Sequence, residues 1–243
     1  MRAMLAAEGL IKNFGAVTAA ADITLSFDVD TVVSLIGANG AGKTTFLNMV
    51  TGYLKPDSGR IIFGGRNIVG LDPRQVAKLG ISRSFQIPQL FQSLSVRDNL
   101  LIAESIAAAG DPRSATDAAL ARFELEPYAS RVAGSLSEGI RKLLDVAMAL
   151  SSRSKLLLLD EPTSGVSADE KFGIMDVVMG AARDAGVRVI FVEHDMDIVA
   201  RFARRVVAFY DGGIIGDGPP QTVLCMEDVR RYVIGEEAPH AAA

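Results

Sequence analysis

Eight consecutive residues constrain this chain more than any other feature. Gly37-Ala38-Asn39-Gly40-Ala41-Gly42-Lys43-Thr44 fits the phosphate-binding pattern G-x-x-x-x-G-K-[ST]. The loop lies between a compact apolar run, Thr31 to Ile36, and a stretch of helical character, Thr44 to Val50. A buried strand that feeds a helix through such a loop belongs to α/β architecture. Glycines let successive backbone N–H groups turn inward around phosphate oxygens. The helix N-terminus adds its dipole. In this pattern Lys43 reaches the β- and γ-phosphates and the Thr44 hydroxyl ligates Mg2+.

A second acidic feature lies far downstream. Leu156-Leu157-Leu158-Leu159-Asp160-Glu161 is an apolar strand ending in two carboxylates, and it resembles the Walker B strand of P-loop NTPases. That resemblance gives Asp160 to Mg2+ and places Glu161 near the γ-phosphate, where it can polarise a water. The gap between Lys43 and Asp160 is wide enough for an inserted helical segment. Small GTPases have a shorter gap and base-reading motifs that are not found here.

The remaining pattern supplies that segment. Gly59 to Phe63 reads as a short strand, Pro73 to Leu79 as a helix ended by Gly80, and Ile81 to Phe85 as another strand. From Ile87 to Asp145 no good strand is found. Ser95 caps a helix to Ala109 with Asp98 at a capping-box spacing. Ser114 to Phe123 and Ser137 to Ser151 read as two more helices. Strands then follow at Lys155–Asp160, Val187–Val192 and Arg205–Tyr210, with helices over Ala168–Ala185 and Met196–Ala203 between them. Gly212 to Gly218 reads as a hairpin region, and Glu236 to Ala243 as a disordered tail. No repeat or linker is evident.

Composition narrows the class. The chain has 243 residues, 49% of them hydrophobic, yet its longest uncharged stretch is the 13 residues from Ser84 to Val96. A membrane-spanning helix needs roughly 20 mostly apolar residues, so none is expected. Met1 to Leu10 lacks the apolar core of a signal peptide, which points to the cytosol. The single Cys225 argues against a disulfide scaffold and reads as a small packed residue. A net charge of −4 without a long basic run gives no nucleic-acid footprint.

Leu136-Ser137-Glu138-Gly139 opens the helix that precedes the Leu156 strand, and it resembles the signature of ATP-binding-cassette (ABC) ATPases. Gln86 after the Ile81 strand matches that family's Q-loop, and His194 after the Val187 strand matches its switch histidine. Phe14, in Lys12-Asn13-Phe14-Gly15, stands where the family places an aromatic under adenine. The match covers essentially the whole chain, in order. Leu79-Gly80-Ile81-Ser82-Arg83-Ser84-Phe85-Gln86, Leu90-Phe91, Ser95 to Leu100, Phe63 to Leu71 and the ending Val223 to Gly235 look like the uptake cassettes for branched-chain and other hydrophobic amino acids, of the first type with the longer insertion.

The resemblance implies a RecA-like core over 1–86 and 146–235, carrying an antiparallel β subdomain, and a helical subdomain over 87–145. It implies ATP and Mg2+ as cofactors. ATP would meet Phe14, Asn39, Gly40, Ala41, Gly42, Lys43, Thr44 and Thr45 in one chain, and Ser137 and Gly139 of a second cassette, identical or different. Mg2+ would meet Thr44, Gln86 and Asp160, with Glu161, His194 and Gln86 as the catalytic group. Further partners are membrane permease subunits and, through them, a periplasmic substrate-binding protein. The place implied is the inner face of the cell membrane, held there by the permease.

Two positions depart from the family pattern. Ile140 follows the signature glycine where Gln or a similar polar residue is usual. Ser167 stands at the D-loop Asp, with Asp169 two residues on. Relatives for urea, amides or aromatic acids share this cassette type, and lipid-export cassettes share its catalytic motifs. Non-transport ABC ATPases usually carry two cassettes or long coiled coils, which this chain lacks. Ile87-Pro88-Gln89-Leu90-Phe91 is apolar, uncharged and next to the Q-loop. It reads either as filling for the helical core or as a docking surface for a membrane subunit.

Overall fold

A computed structural model describes residues 3–28, 32–107, 110–151 and 154–235. The expected tail, the start of the first strand at Thr31 and the last two residues of the Ser95 helix, 108–109, lie outside the described residues. The chain forms two compact units, Met1–Pro73 with Val192–Ala243, and Arg74–Phe191.

In the first unit, β1 (Leu5–Phe14) and β2 (Val17–Phe27) make an antiparallel hairpin with Phe14 opposite Val17. Ala20, Ile23, Leu25 and Phe27 of β2 are buried. The pairing shifts register three times. Those bulges break the period-two alternation by which strands are recognised, and no strand was read here from the residues themselves. β3 (Val33–Gly37) is buried throughout, and α1 (Lys43–Val50) follows the phosphate loop. β4 (Ser58–Phe63) and β5 (Arg66–Asn67) complete a four-stranded sheet in the order β2-β1-β4-β5.

The second unit begins with α2 (Pro73–Leu79) and β6 (Ile81–Ser84). Three helices follow, α3 (Val96–Ala107), α4 (Pro112–Arg122) and α5 (Glu138–Ser151). As expected, no strand lies between Ile87 and Asp145 among the described residues. Ser95 does start α3: its hydroxyl accepts from the Asp98 N–H at 3.0 Å and donates to the Asp98 carboxylate at 2.6 Å. β7 (Leu156–Asp160) runs parallel to β6 and is fully buried. α6 (Lys171–Asp184) and β8 (Arg188–Val192) follow, giving the order β8-β7-β6.

Back in the first unit, α7 (Met196–Phe202) leads to β9 (Arg205–Tyr210), which pairs parallel with β3. β10 (Gly213–Gly218) pairs antiparallel with β9. Two short helices, α8 (Pro220–Val223) and α9 (Glu227–Val229), and a π turn at Arg230–Ile234 end the described chain. Phe46 of α1 packs between Phe27 and Phe209, with ring centroids 6.1 and 5.9 Å away. That cluster ties the helix behind the phosphate loop to strands from both sheets of the unit.

Three local expectations are corrected. The Ile81 strand ends at Ser84, one residue early. Ala168 to Glu170 form turns, and α6 begins only at Lys171. Cys225 is exposed, because it sits in the turn after α8 rather than on a packed face.

Candidate active site

The phosphate loop is shaped by its backbone. Gly42 caps α1 in the left-handed region, with φ 107°, and no side chain caps this helix end. A Cβ on Gly42 would stand 2.6 Å from the Ala19 carbonyl oxygen, so the position excludes any other residue. Lys43 is buried, and its ammonium donates to the Gly37 and Ala38 carbonyls at 2.6 and 3.0 Å. Ala38, Asn39, Gly40 and Thr44 are exposed along the rim, and Thr45 is half-buried. This helix end carries no side-chain cap and no acidic residue in its first turn, an arrangement whose free N–H groups and dipole favour negative charge. Gly212, which the sequence reading passed over as a turn residue, braces this loop: its N–H donates to the Ala41 carbonyl at 3.2 Å, and its carbonyl accepts from Ala21 N–H at 2.8 Å.

Phe14 sits at the tip of the β1–β2 hairpin and is 51% exposed. It is not a core residue. Lys12 stands 5.6 Å from the Phe14 ring centroid and donates to Asp57 at 2.6 Å. That hydrogen bond, with one from the Asn13 N–H at 2.7 Å, holds the Asp57 carboxyl below the usual carboxylate range. His194 is exposed immediately after β8. Its N–H donates to the carboxylate of buried Glu193 at 3.2 Å, and Asp195 beyond it caps α7 through the N–H groups of Asp197 and Ile198. The imidazole is therefore presented from a stretch anchored on both sides.

The second unit holds five predicted residues, Gln86, Ser137, Gly139, Asp160 and Glu161. The Gln86 amide nitrogen donates to Glu161 Oε2 at 2.7 Å, linking the Q-loop to the carboxylate after β7. Glu161 has a left-handed backbone, φ 53°, a conformation that costs a non-glycine residue about 1–3 kcal/mol. Asp160 is buried, and Arg83 of β6 donates to its Oδ2 at 2.6 Å. Ser137 is exposed before α5, whereas Gly139 is buried. A Cβ on Gly139 would come 2.6 Å from Ile174 Cδ1 of α6, so a larger residue there would make that terminal methyl shift. Ile140 is half-buried on α5. Ser167 donates to the Glu170 carboxylate at 2.6 Å.

Three residues around this cluster were missed as functional. Arg83 is one. The others are Lys142 and Asp145 of α5, each 6% exposed or less. Asp145 accepts from Ser84 Oγ at 2.6 Å, Phe85 N–H at 3.3 Å and Gln89 N–H at 2.8 Å. Burial pushes its carboxyl up, against those hydrogen bonds and the Lys142 charge. The signal was present as two charges, three apart, at the head of and within the otherwise apolar Lys142–Leu150 stretch.

Next to the Q-loop, Ile87 is 74% exposed and Phe91 49% exposed. They do not fill the helical core. Asn99, fully buried on α3, holds the Phe91 backbone with hydrogen bonds at 2.9 and 3.1 Å. Among the described residues, no helix is long and apolar enough to cross a membrane.

Residues 20–164 match the ABC transporter family model. The high-affinity branched-chain amino acid transport ATP-binding protein BraF of Pseudomonas aeruginosa is 31% identical, over 97% of this chain and 99% of its own. The corresponding LivG of Escherichia coli is 30% identical, over 96% and 98%. The crystal structure of the ADP conformation of MJ1267, an ATP-binding cassette of an ABC transporter, superposes with a TM-score of 0.86 at 29% identity, covering 97% of this chain and all of that one. With its phosphate loop and its Gln86–Glu161 contact, the chain belongs to the ABC transporter family, as one of its ATP-binding, ATP-hydrolysing cassettes.

Proposed function

We propose that this chain energises an importer of branched-chain or other hydrophobic amino acids, by binding and hydrolysing ATP at the inner face of the cell membrane. The observation that carries the transport class is similarity along the full length of BraF and LivG rather than within the nucleotide site alone. For the chemistry, the hydrogen bond from Gln86 to Glu161 is the central support.

Each residue has a role in this reading. Phe14 stacks on adenine. The N–H groups around Asn39 to Thr45 and the Lys43 ammonium hold the phosphates. Glu161 orients and deprotonates the attacking water, Gln86 fixes the Glu161 carboxylate, and His194 steadies the γ-phosphate. Ser137 and the α5 N-terminus at Gly139 serve the ATP of a second cassette. The Thr44 hydroxyl, the Asp160 carboxylate and the Gln86 amide oxygen are hard oxygen donors, which suits Mg2+. When bound, Mg2+ neutralises charge building on the phosphates. Arg83 holds the Asp160 carboxylate in its orientation. Catalysis is mainly positioning and electrostatics.

The exposed Ile87 and Phe91 support docking of a permease segment beside the Q-loop, with the helical segment 87–145 as the lever. Co-purification with the membrane subunits, followed by ATPase assays with and without leucine and the periplasmic binding protein, tests the assignment. Leucine-stimulated turnover is expected. Stimulation by urea or an aromatic acid alone would move the chain to another substrate class. Crosslinks from Phe91 that never reach a permease would remove the docking surface.

A further inference from the structure

The helix that begins with the signature also holds the catalytic pair of its own chain. Lys142 and Asp145 are three residues apart on α5 and so lie on one face. Both are buried. Burying two charged groups is costly unless their hydrogen-bonding capacity is met, and the helix could fill this face with apolar side chains like its neighbours Leu144 and Val146. Their partners are not scattered. The Lys142 ammonium donates to the Glu161 carbonyl at 2.6 Å and approaches the Gln86 carbonyl at 3.4 Å. Asp145 takes Ser84 and Phe85 on one side of Gln86 and Gln89 on the other. Glu161 also sits in a left-handed conformation that needs an outside hold.

We propose that Lys142 and Asp145 are positioning residues. Lys142 sets the backbone of Glu161 and Gln86, and Asp145 clasps both flanks of the Q-loop. One rigid helix then carries the signature, offered to the partner's ATP, and the geometry of the pair that hydrolyses its own. The proposal rests on the roles given above to Gln86 and Glu161. A displacement of about 1 Å at such a pair is enough to cost up to a hundredfold in rate.

The test compares Lys142→Met, Lys142→Arg, Asp145→Asn and Glu161→Gln in steady-state ATPase assays, with ATP affinity measured directly and folding followed by thermal melting. Lys142→Met should lower kcat by at least about tenfold while ATP binding stays within about threefold, because an interaction serving the transition state alone is removed. Lys142→Arg should recover most of the rate. Asp145→Asn should fall in the same direction and less far, since an amide oxygen remains to accept. If Lys142→Met does not fold, Lys142→Gln keeps a donor and is read by the same split. Full turnover in Glu161→Gln would overturn the catalytic reading itself. An inactive Glu161→Gln beside a folded Lys142→Met of unchanged kcat would overturn the positioning role alone. Equal losses in kcat and ATP affinity would overturn it too.

Discussion

The Gly-rich loop of the first unit and the Gln86–Glu161 cluster of the second are assembled from different material. The loop is made by neighbours in sequence: Lys43 reaches carbonyls five and six residues away, and Gly42 turns the chain into its helix. The cluster is made by side chains that meet across long separations. Gln86 and Glu161 are 75 residues apart, Arg83 and Asp160 are 77 apart, and Ser84 and Asp145 are 61 apart. In the proposed reading the loop therefore offers backbone groups that mutation can hardly remove, whereas the cluster depends on a few replaceable atoms. Substitutions should separate the two as binding defects and turnover defects.

Four measurements sharpen or break that contrast. Glu161→Gln should show the largest effect, a fall in turnover on the order of 10²–10⁴ with ATP binding intact and a closed dimer trapped. A matching loss of ATP affinity would erase the distinction. Lys43→Ala should weaken ATP binding by about ten- to a hundredfold, the value of one charge-assisted hydrogen bond. Unchanged affinity in an equilibrium titration would sink the phosphate-loop assignment. Phe46→Ala should destabilise the protein by about 3–5 kcal/mol in urea unfolding, because it empties the aromatic cluster behind the loop. A cost below about 1 kcal/mol would show that the loop does not depend on its buried support.

The smallest effect is in pH, and it has opposite signs in the two regions. Asp57 is held below its ordinary value of 3.8, so its contribution is present above that value and is lost as pH falls below it. Asp145 is pushed above 3.8, so its contribution is full below that value and is lost as pH rises through the higher folded one. Unfolding midpoints of Asp57→Asn and Asp145→Asn, each compared with the unaltered protein across acid pH, should therefore diverge in opposite directions. Parallel curves would contradict the burial argument for Asp145.

Legibility followed the same division. β3, α1, β7 and β9 could be read to within a residue or two, since each is a short apolar run bounded by glycine or charge. The Ser95 cap was legible because its partner is three residues away. β1 and β2 were not, since their bulges scramble the alternation of Leu5 to Phe27. Turns at Ala168 to Glu170 looked helical because composition there does not oppose a helix. The start at Lys171 is set by Ser167, whose side chain and carbonyl take up Glu170 and Lys171. Phe14, Gln86, Asp160, Glu161 and His194 were named from motif order. The braces Lys142, Asp145 and Arg83 were not named as functional, because nothing near them in sequence shows what they touch.

By itself the sequence determined the family and the position of its Gly-rich loop, and it named the residues proposed to carry the chemistry, because each of these is written in short contiguous patterns with fixed order. Tertiary structure alone decided that Phe14, Ile87 and Phe91 face outward, that Gln86 holds Glu161, and that α5 holds both. Burial and side-chain hydrogen bonds across tens of residues are properties of packing, and local pattern does not encode them.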